Sequence, residues 1–191
     1  MSDAPKTRVL IAEDEAIIRL DLKEMLEEEG LTVVGEAADG EAALRLAAET
    51  SPDLVILDIK MPGMDGLSAA ERLAETSDAA VLILTAFSQR ELVQRAAEAG
   101  AMGYLVKPFQ KSDLMPAIDV ALARHAQVLA LKKESTDLSD QLETRKLVDR
   151  AKGHLIDSQN MTEAAAFRFI QKRAMDERRS MRDVAAAILE S

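Results

Sequence analysis

The sequence has no cysteine, and aromatic residues make up only 3% of its 191 positions, with a single tyrosine. Without cysteine there is neither a disulfide framework nor a thiolate metal site. No charge-free apolar run approaches the roughly 18 residues of a membrane span, and the opening Met1-Ser2-Asp3-Ala4-Pro5-Lys6 lacks the apolar centre of a signal peptide. These absences predict a soluble cytoplasmic protein. Proline and glycine are missing over a long stretch as well: no proline follows Pro116 and no glycine occurs from there until Gly153. Nothing in that stretch interrupts a helix.

What is present divides by charge. The net charge is -10, but residues 1–125 carry 12 Lys and Arg against 23 Asp and Glu, whereas residues 126–191 carry 12 against 11. An acidic N-terminal part and a nearly neutral C-terminal part differ in electrostatic character. A chain of this length holds either one large domain or a domain of about 120 residues with a smaller companion.

Short apolar, β-branched runs alternate with helical periodicity over the first part. Val9-Leu10-Ile11-Ala12, Leu31-Thr32-Val33-Val34-Gly35, Leu54-Val55-Ile56-Leu57, Val81-Leu82-Ile83-Leu84 and Tyr104-Leu105-Val106 read as strands. Between them lie predicted helices over Ala16 to Glu28, Glu41 to Thr50, Leu67 to Thr76 and Gln89 to Ala99. In the first of these, Ile17, Leu20, Leu22, Met25 and Leu26 are expected near one face. Such continuous apolar strands, each followed by a helix, predict an α/β, doubly wound parallel sheet covered on both faces.

In that architecture a ligand binds outside the carboxyl ends of the strands, and the polar residues fall there. Glu13-Asp14 follows the first strand, Asp58 closes the third, Thr85 the fourth and Lys107 the fifth. Clustered carboxylates repel one another and raise at least one pKa unless a cation compensates. A hard divalent ion with oxygen ligands, Mg²⁺, meets that need. It would also shield an incoming phosphoryl group so that one carboxylate attacks as a nucleophile. Thr85 can donate a hydrogen bond to a phosphoryl oxygen and Lys107 can pair with another. Taken singly, an Asp or Thr after a strand is usually a cap or turn residue; the joint placement is what carries meaning.

The segments Val9-Leu10-Ile11-Ala12-Glu13-Asp14-Glu15, Asp58-Ile59-Lys60-Met61-Pro62-Gly63-Met64-Asp65-Gly66, Leu84-Thr85-Ala86 and Lys107-Pro108-Phe109 resemble the receiver domain of two-component response regulators. The resemblance covers residues 7–125. It implies that Asp58 is phosphorylated by a sensor histidine kinase, and that Asp14, Asp58 and the Lys60 carbonyl ligate Mg²⁺ with Glu13 acting through water. It further implies a cis bond before Pro108 and a rotamer switch at Tyr104 and Thr85 on phosphorylation, read out on helix four, strand five and helix five. Tyr104 equally fits a plain strand-edge packing role. The chemistry expected is the protein's own phosphorylation and assisted dephosphorylation, not turnover of another substrate.

Beyond residue 125 the helix is expected to continue as a stalk through 126–136, with Val128, Leu131, Leu138 and Leu142 at a/d spacing and Ser135 between them. A solvated connector helix fits the same pattern. Three helical stretches follow: one to about Asp157, one over Glu163 to Met175 and one over Met181 to Leu189. Asn160 suits a left-handed C-cap, and Thr162 and Ser180 suit N-caps. Leu147, Ala151, Leu155, Ile156, Ala166, Phe167, Ile170, Ala174, Val184, Ala185 and Ile188 are expected to close a small core, marginal on its own.

Between Arg145 and Arg182 there are 10 basic and 5 acidic residues. Arg150-Ala151-Lys152-Gly153-His154-Leu155-Ile156, Met161-Thr162-Glu163-Ala164-Ala165-Ala166-Phe167 and Arg173-Ala174-Met175 resemble the ANTAR domain, a three-helix RNA-binding output, over residues 137–191. With Ala86-Phe87-Ser88-Gln89-Arg90, the whole chain resembles actinobacterial antitermination regulators built from these two domains. The resemblance implies phosphorylation-favoured homodimers that bind hairpins in leader transcripts and prevent terminator formation. Candidate RNA contacts are Arg150 and Lys152, then Arg173, Arg178 and Arg179, acting mainly through basic and polar groups. Two other outputs remain open: a DNA-binding helix-turn-helix, although the basic residues are not gathered on one helix, and a helical dimerisation or protein-interaction element.

Overall fold

The structure, a computed structural model, describes residues 6–86 and 90–190. Of the motif Ala86-Phe87-Ser88-Gln89-Arg90, Phe87, Ser88 and Gln89 lie outside the described residues, as does the expected helix start at Gln89. The apolar runs form five strands, β1 (Arg8–Ala12), β2 (Thr32–Ala37), β3 (Leu54–Asp58), β4 (Ala80–Thr85) and β5 (Gly103–Val106). They pair in parallel in the order β2-β1-β3-β4-β5. Strand order reverses between β1 and β3, the switch point of a doubly wound sheet.

Alternation along the strands separates two cores. Val9, Ile11, Leu54, Ile56, Leu82 and Leu84 face Leu22 and Leu26 of α1 (Ala16–Glu28) and Leu114, Ile118 and Ala121 of α5 (Lys111–Gln159). Leu10, Ala12, Val55, Leu57, Val81 and Ile83 face α2 (Gly40–Thr50), α3 (Gly66–Thr76) and α4 (Arg90–Glu98) through Ala43, Ala47, Leu67, Leu73 and Ala96. The central strands are buried on both sides, as their unbroken apolar composition predicts. Asp39 and Asp65 cap α2 and α3, accepting from the main-chain N–H of Ala42 and Ser68 at 2.7 Å each.

The expected face of α1 needs correction. Ile17 and Leu20 are exposed, while Ile18 and Met25 join Leu22 and Leu26 against the sheet. At about 100° per residue, Ile18, Leu22, Met25 and Leu26 form one stripe, and Ile17 and Leu20 point away from it.

Helix α5 is continuous from Lys111 to Gln159. It contains a stretch long and apolar enough to cross a membrane by composition alone. Within α5, Leu114, Ile118 and Ala121 are buried against the sheet, and Asp119 and Arg124 interrupt the apolar sequence. Leu131, Leu138 and Leu142 further along are exposed.

The chain separates into two compact units, Met1–Val128 and Leu129–Ser191. In the second, α5 is followed by α6 (Glu163–Glu177) and α7 (Met181–Leu189). Asn160 adopts φ 55°, the left-handed region expected for it. The Thr162 and Ser180 hydroxyls accept from the N–H groups of Ala165 and Asp183 at 3.2 and 3.1 Å. The core consists of Val148, Ala151, Leu155, Ala166, Ile170, Ala174, Val184, Ala185 and Ile188. Phe167, expected inside, is 42% exposed, and Val148 is buried in addition. The buried row on α6 runs Ala166, Ile170, Ala174, and Phe167 lies to its side.

Candidate functional site

Parallel register brings the residues after β1, β3, β4 and β5 to one edge, and main-chain bonds tie them there. Glu13 N–H donates to Ala37 O at 3.1 Å, Ile59 N–H to Leu84 O at 3.1 Å and Lys107 N–H to Thr85 O at 2.8 Å. The Lys107–Pro108 peptide bond is cis. Asp14, Asp58, Lys60, Thr85 and Lys107 line one cavity of about 270 Å³.

Lys107 is the electrostatic hinge of the site. Its ammonium lies 2.6 Å from Glu13 Oε2 and 3.1 Å from Asp58 Oδ1. Glu13 is completely buried, Asp58 and Thr85 nearly so. Glu13 Oε1 also accepts from the Glu15 N–H at 3.3 Å. Burial pushes the Glu13 carboxyl above its ordinary range, with the Asp58 charge adding to the rise against the Lys107 hydrogen bond. Burial likewise raises Asp58, opposed by Lys107 and reinforced by Asp14. For Lys107 burial favours the neutral amine, but its bonds to Glu13 and Asp58 and their charges prevail, so its pKa is raised.

Carboxylate oxygens of Glu13, Asp14 and Asp58 lie within 4.8 Å of one another. Three carboxylates facing one ammonium leave excess negative charge in an all-oxygen donor set, which fits a hard divalent cation. Tyr104 lies on the edge strand β5, about half exposed, and does not line the cavity.

Two supporting residues escaped sequence reasoning. Arg19 donates from its guanidinium to the Glu13 carbonyl oxygen and pairs with Glu36 at 3.7 Å; no motif or spacing signals that contact. Gly66 opens α3 directly against Asp58: its N–H donates to Ile59 O at 3.0 Å, and a Cβ there would lie 1.9 Å from the Asp58 carbonyl oxygen. The Asp65-Gly66 pair signals a turn, and the close approach is a tertiary fact.

In the C-terminal unit, Lys152 bridges Asp149 at 2.7 Å and Glu163 at 3.0 Å, tying α5 to the start of α6. Arg173 pairs with Glu177 at 2.6 Å, and Arg179 pairs with the same carboxylate at 3.2 Å. Among the described residues, Arg150 and Arg178 are exposed and carry no ion pair. Arg178 sits at the C-cap of α6 with φ 52°, in the left-handed region.

Comparison with known proteins follows the same division. The profile of the response regulator receiver domain matches residues 9–119, and that of the ANTAR domain matches residues 136–189. The transcriptional regulatory protein PdtaR of Mycobacterium tuberculosis is 57% identical over 184 residues, covering 96% of this chain and 90% of that protein. The chemotaxis protein CheY of Bacillus subtilis is 39% identical over 116 residues, covering 60% of this chain and 97% of its own. A LuxR-family two-component response regulator from Aurantimonas superposes with a TM-score of 0.59 at 33% identity, covering 67% of this chain and 98% of that one. The chain therefore belongs to the two-component response regulators, with a receiver domain followed by an ANTAR domain.

Proposed function

We propose that Asp58 accepts a phosphoryl group from a sensor histidine kinase in the cytoplasm, and that this modification turns on RNA binding by the ANTAR domain. Bound hairpins in leader transcripts would then be held in a form that prevents terminator formation. We assign residues 7–125 to the receiver, 126–136 to a helical connector and 137–191 to the RNA-binding domain. The observation that carries the reading is the Lys107 ammonium placed between Glu13 and Asp58 in the strand-end cavity.

Glu13, Asp14, Asp58 and the Lys60 carbonyl would hold Mg²⁺, which when bound supplies neutralising charge for phosphoryl oxygens. A carboxylate oxygen of Asp58 attacks phosphorus, and the phosphorus–donor bond breaks with its electron pair leaving on the kinase side chain. Lys107 exchanges its bond to Asp58 for one to a phosphoryl oxygen, and the Thr85 hydroxyl donates to another. Loss of the lysine from its present pairing and movement of Thr85 and Tyr104 favour the active conformation. Attack of water on the aspartyl phosphate returns Asp58 and inorganic phosphate.

For RNA, Arg150 and Arg178 are available without breaking an existing pair, while Lys152, Arg173 and Arg179 would exchange carboxylates for phosphates. Leu131, Leu138 and Leu142, exposed on α5, support pairing of two copies. Asp58→Asn tests the core of the proposal. It should leave no base-labile aspartyl phosphate after incubation with a small phosphodonor and Mg²⁺, and no phosphodonor-dependent gain in hairpin binding. Persisting aspartyl phosphate overturns the site; equal preference for duplex DNA and hairpin RNA overturns the output.

A further inference from the structure

The C-terminal unit contains a groove of about 530 Å³ that the phosphoryl chemistry does not use. Val148, Phe167 and Met181 supply its apolar surface, and Gln141, Thr144 and Arg145 stand along it. Its volume lies in the range of about 300–1,000 Å³ typical of small-ligand sites. Phe167 is 42% exposed there; Phe169 is also exposed but does not line this groove, so Phe167 is the aromatic ring it offers.

The charges around the groove select the ligand. Its two carboxylates are already engaged, Asp140 with Arg182 at 3.4 Å and Asp149 with Lys152 at 2.7 Å. Arg145 makes no ion pair within 4 Å among the described residues, although, after the Lys152 hydrogen bond, its charge helps to hold the Asp149 carboxyl below its ordinary range. An exposed ring, a guanidinium without a close ion pair and two hydrogen-bonding side chains match an unpaired nucleotide: a base to stack, a base edge to bond and a phosphate to neutralise. A purely apolar peptide side chain would leave Arg145, Thr144 and Gln141 without partners.

We propose that this groove is a slot for an unpaired nucleobase of an RNA loop, stacked on Phe167 with the adjoining phosphate paired to Arg145. The assignment rests on the RNA-binding reading above and names the aromatic contact that a purely basic and polar interface lacks. Basic residues elsewhere on the unit would then hold the RNA backbone, while the slot discriminates a base-bearing loop from bare backbone.

The test uses the full-length phosphorylated protein and two RNA probes: hairpins with one fixed stem and a randomised loop, and the same stem with an abasic loop of equal length. The wild type should prefer the base-bearing loops by about ten-fold, the worth of one stacked base. Phe167→Ala should bring that ratio near one while leaving the salt dependence of binding in place, with circular dichroism melting used to verify the fold. Phe169→Ala, on the opposite flank of α6, should keep the ratio. Because the chain has no tryptophan, Phe167→Trp adds a single indole, excited apart from Tyr104, that base-bearing loops should quench and abasic loops should not. A ratio retained in folded Phe167→Ala, or equal quenching by both probes, overturns the slot. A wild type that binds both probes equally also overturns the slot and leaves RNA binding standing; a wild type that binds neither overturns the RNA-binding reading itself.

Discussion

Replacing Gly66 by alanine sets two effects against each other beside Asp58. Gly→Ala within a helix ordinarily stabilises by about 0.5–1 kcal/mol because the unfolded chain loses freedom. Here the new Cβ would lie 1.9 Å from Asp58 O, 2.8 Å from Asp58 C and 3.1 Å from Ile59 Cα. All three are main-chain atoms, so no side chain can rotate away. The backbone here is also held on both sides of Ile59, whose N–H donates to Leu84 O at 3.1 Å and whose carbonyl oxygen accepts from the Gly66 N–H at 3.0 Å. Relieving the overlap must stretch one of these bonds, and overpacking against a fixed structure costs about 1–3 kcal/mol. With the upper end applying to rigid backbone, the net destabilisation is about 2 kcal/mol, and displacement of Asp58 should slow its phosphorylation. Gly153 supplies the opposite case: it lies inside α5 and a Cβ there meets nothing within 4 Å, so Gly153→Ala should stabilise by about 0.5–1 kcal/mol. Tyr104, the only tyrosine in a chain without tryptophan, reports receiver unfolding in urea, and far-ultraviolet circular dichroism follows the helices. A midpoint for Gly66→Ala equal to or above that of the wild type would refute the close-approach argument.

Lys107→Met leaves Glu13 and Asp58 buried without their ammonium; breaking a fully buried pair costs about 3–5 kcal/mol, and the solvent-facing cavity should reduce this to roughly 2–3 kcal/mol in chelator, with Mg²⁺ recovering part of the loss in urea titrations. Equal midpoints with and without Lys107 would remove it as the counter-charge. Thr162→Ala should lower the stability of the C-terminal unit by about 1 kcal/mol through loss of the α6 cap, seen as an earlier helical melt. Leu138→Gln lies on an exposed position and should leave unfolding unchanged within about 0.5 kcal/mol, yet weaken association of the phosphorylated protein in sedimentation; undiminished association would exclude that α5 face from the dimer.

Local pattern was enough to place the strands, because a run such as Leu54-Val55-Ile56-Leu57 is apolar on both faces and only a doubly covered strand can bury it. The caps at Thr162 and Ser180 and the left-handed Asn160 were likewise readable, since each depends on hydrogen bonds or dihedrals within a few residues. The strand-end cluster followed from topology, because parallel strands deliver their carboxyl ends to one edge.

What the chain order does not encode is which of several nearby groups meet. Glu13 and Asp14 are neighbours in sequence, but Glu13 is buried against Lys107 while Asp14 faces solvent; the choice depends on β5, more than ninety positions away. Phe167 looks like core by its hydrophobicity, but α7 and α5 pack on the Ala166, Ile170 and Ala174 row and leave the ring at a groove. Lys152 reads as a cation on a basic surface until Glu163 arrives from α6 to share it. Sequence by itself determined the elements, their order and the polar strand-end edge, because these follow from local periodicity and strand direction. Only the tertiary structure decided the ion pairs, the Gly66 approach and the exposed ring, because each depends on distances between atoms that the chain brings together from afar.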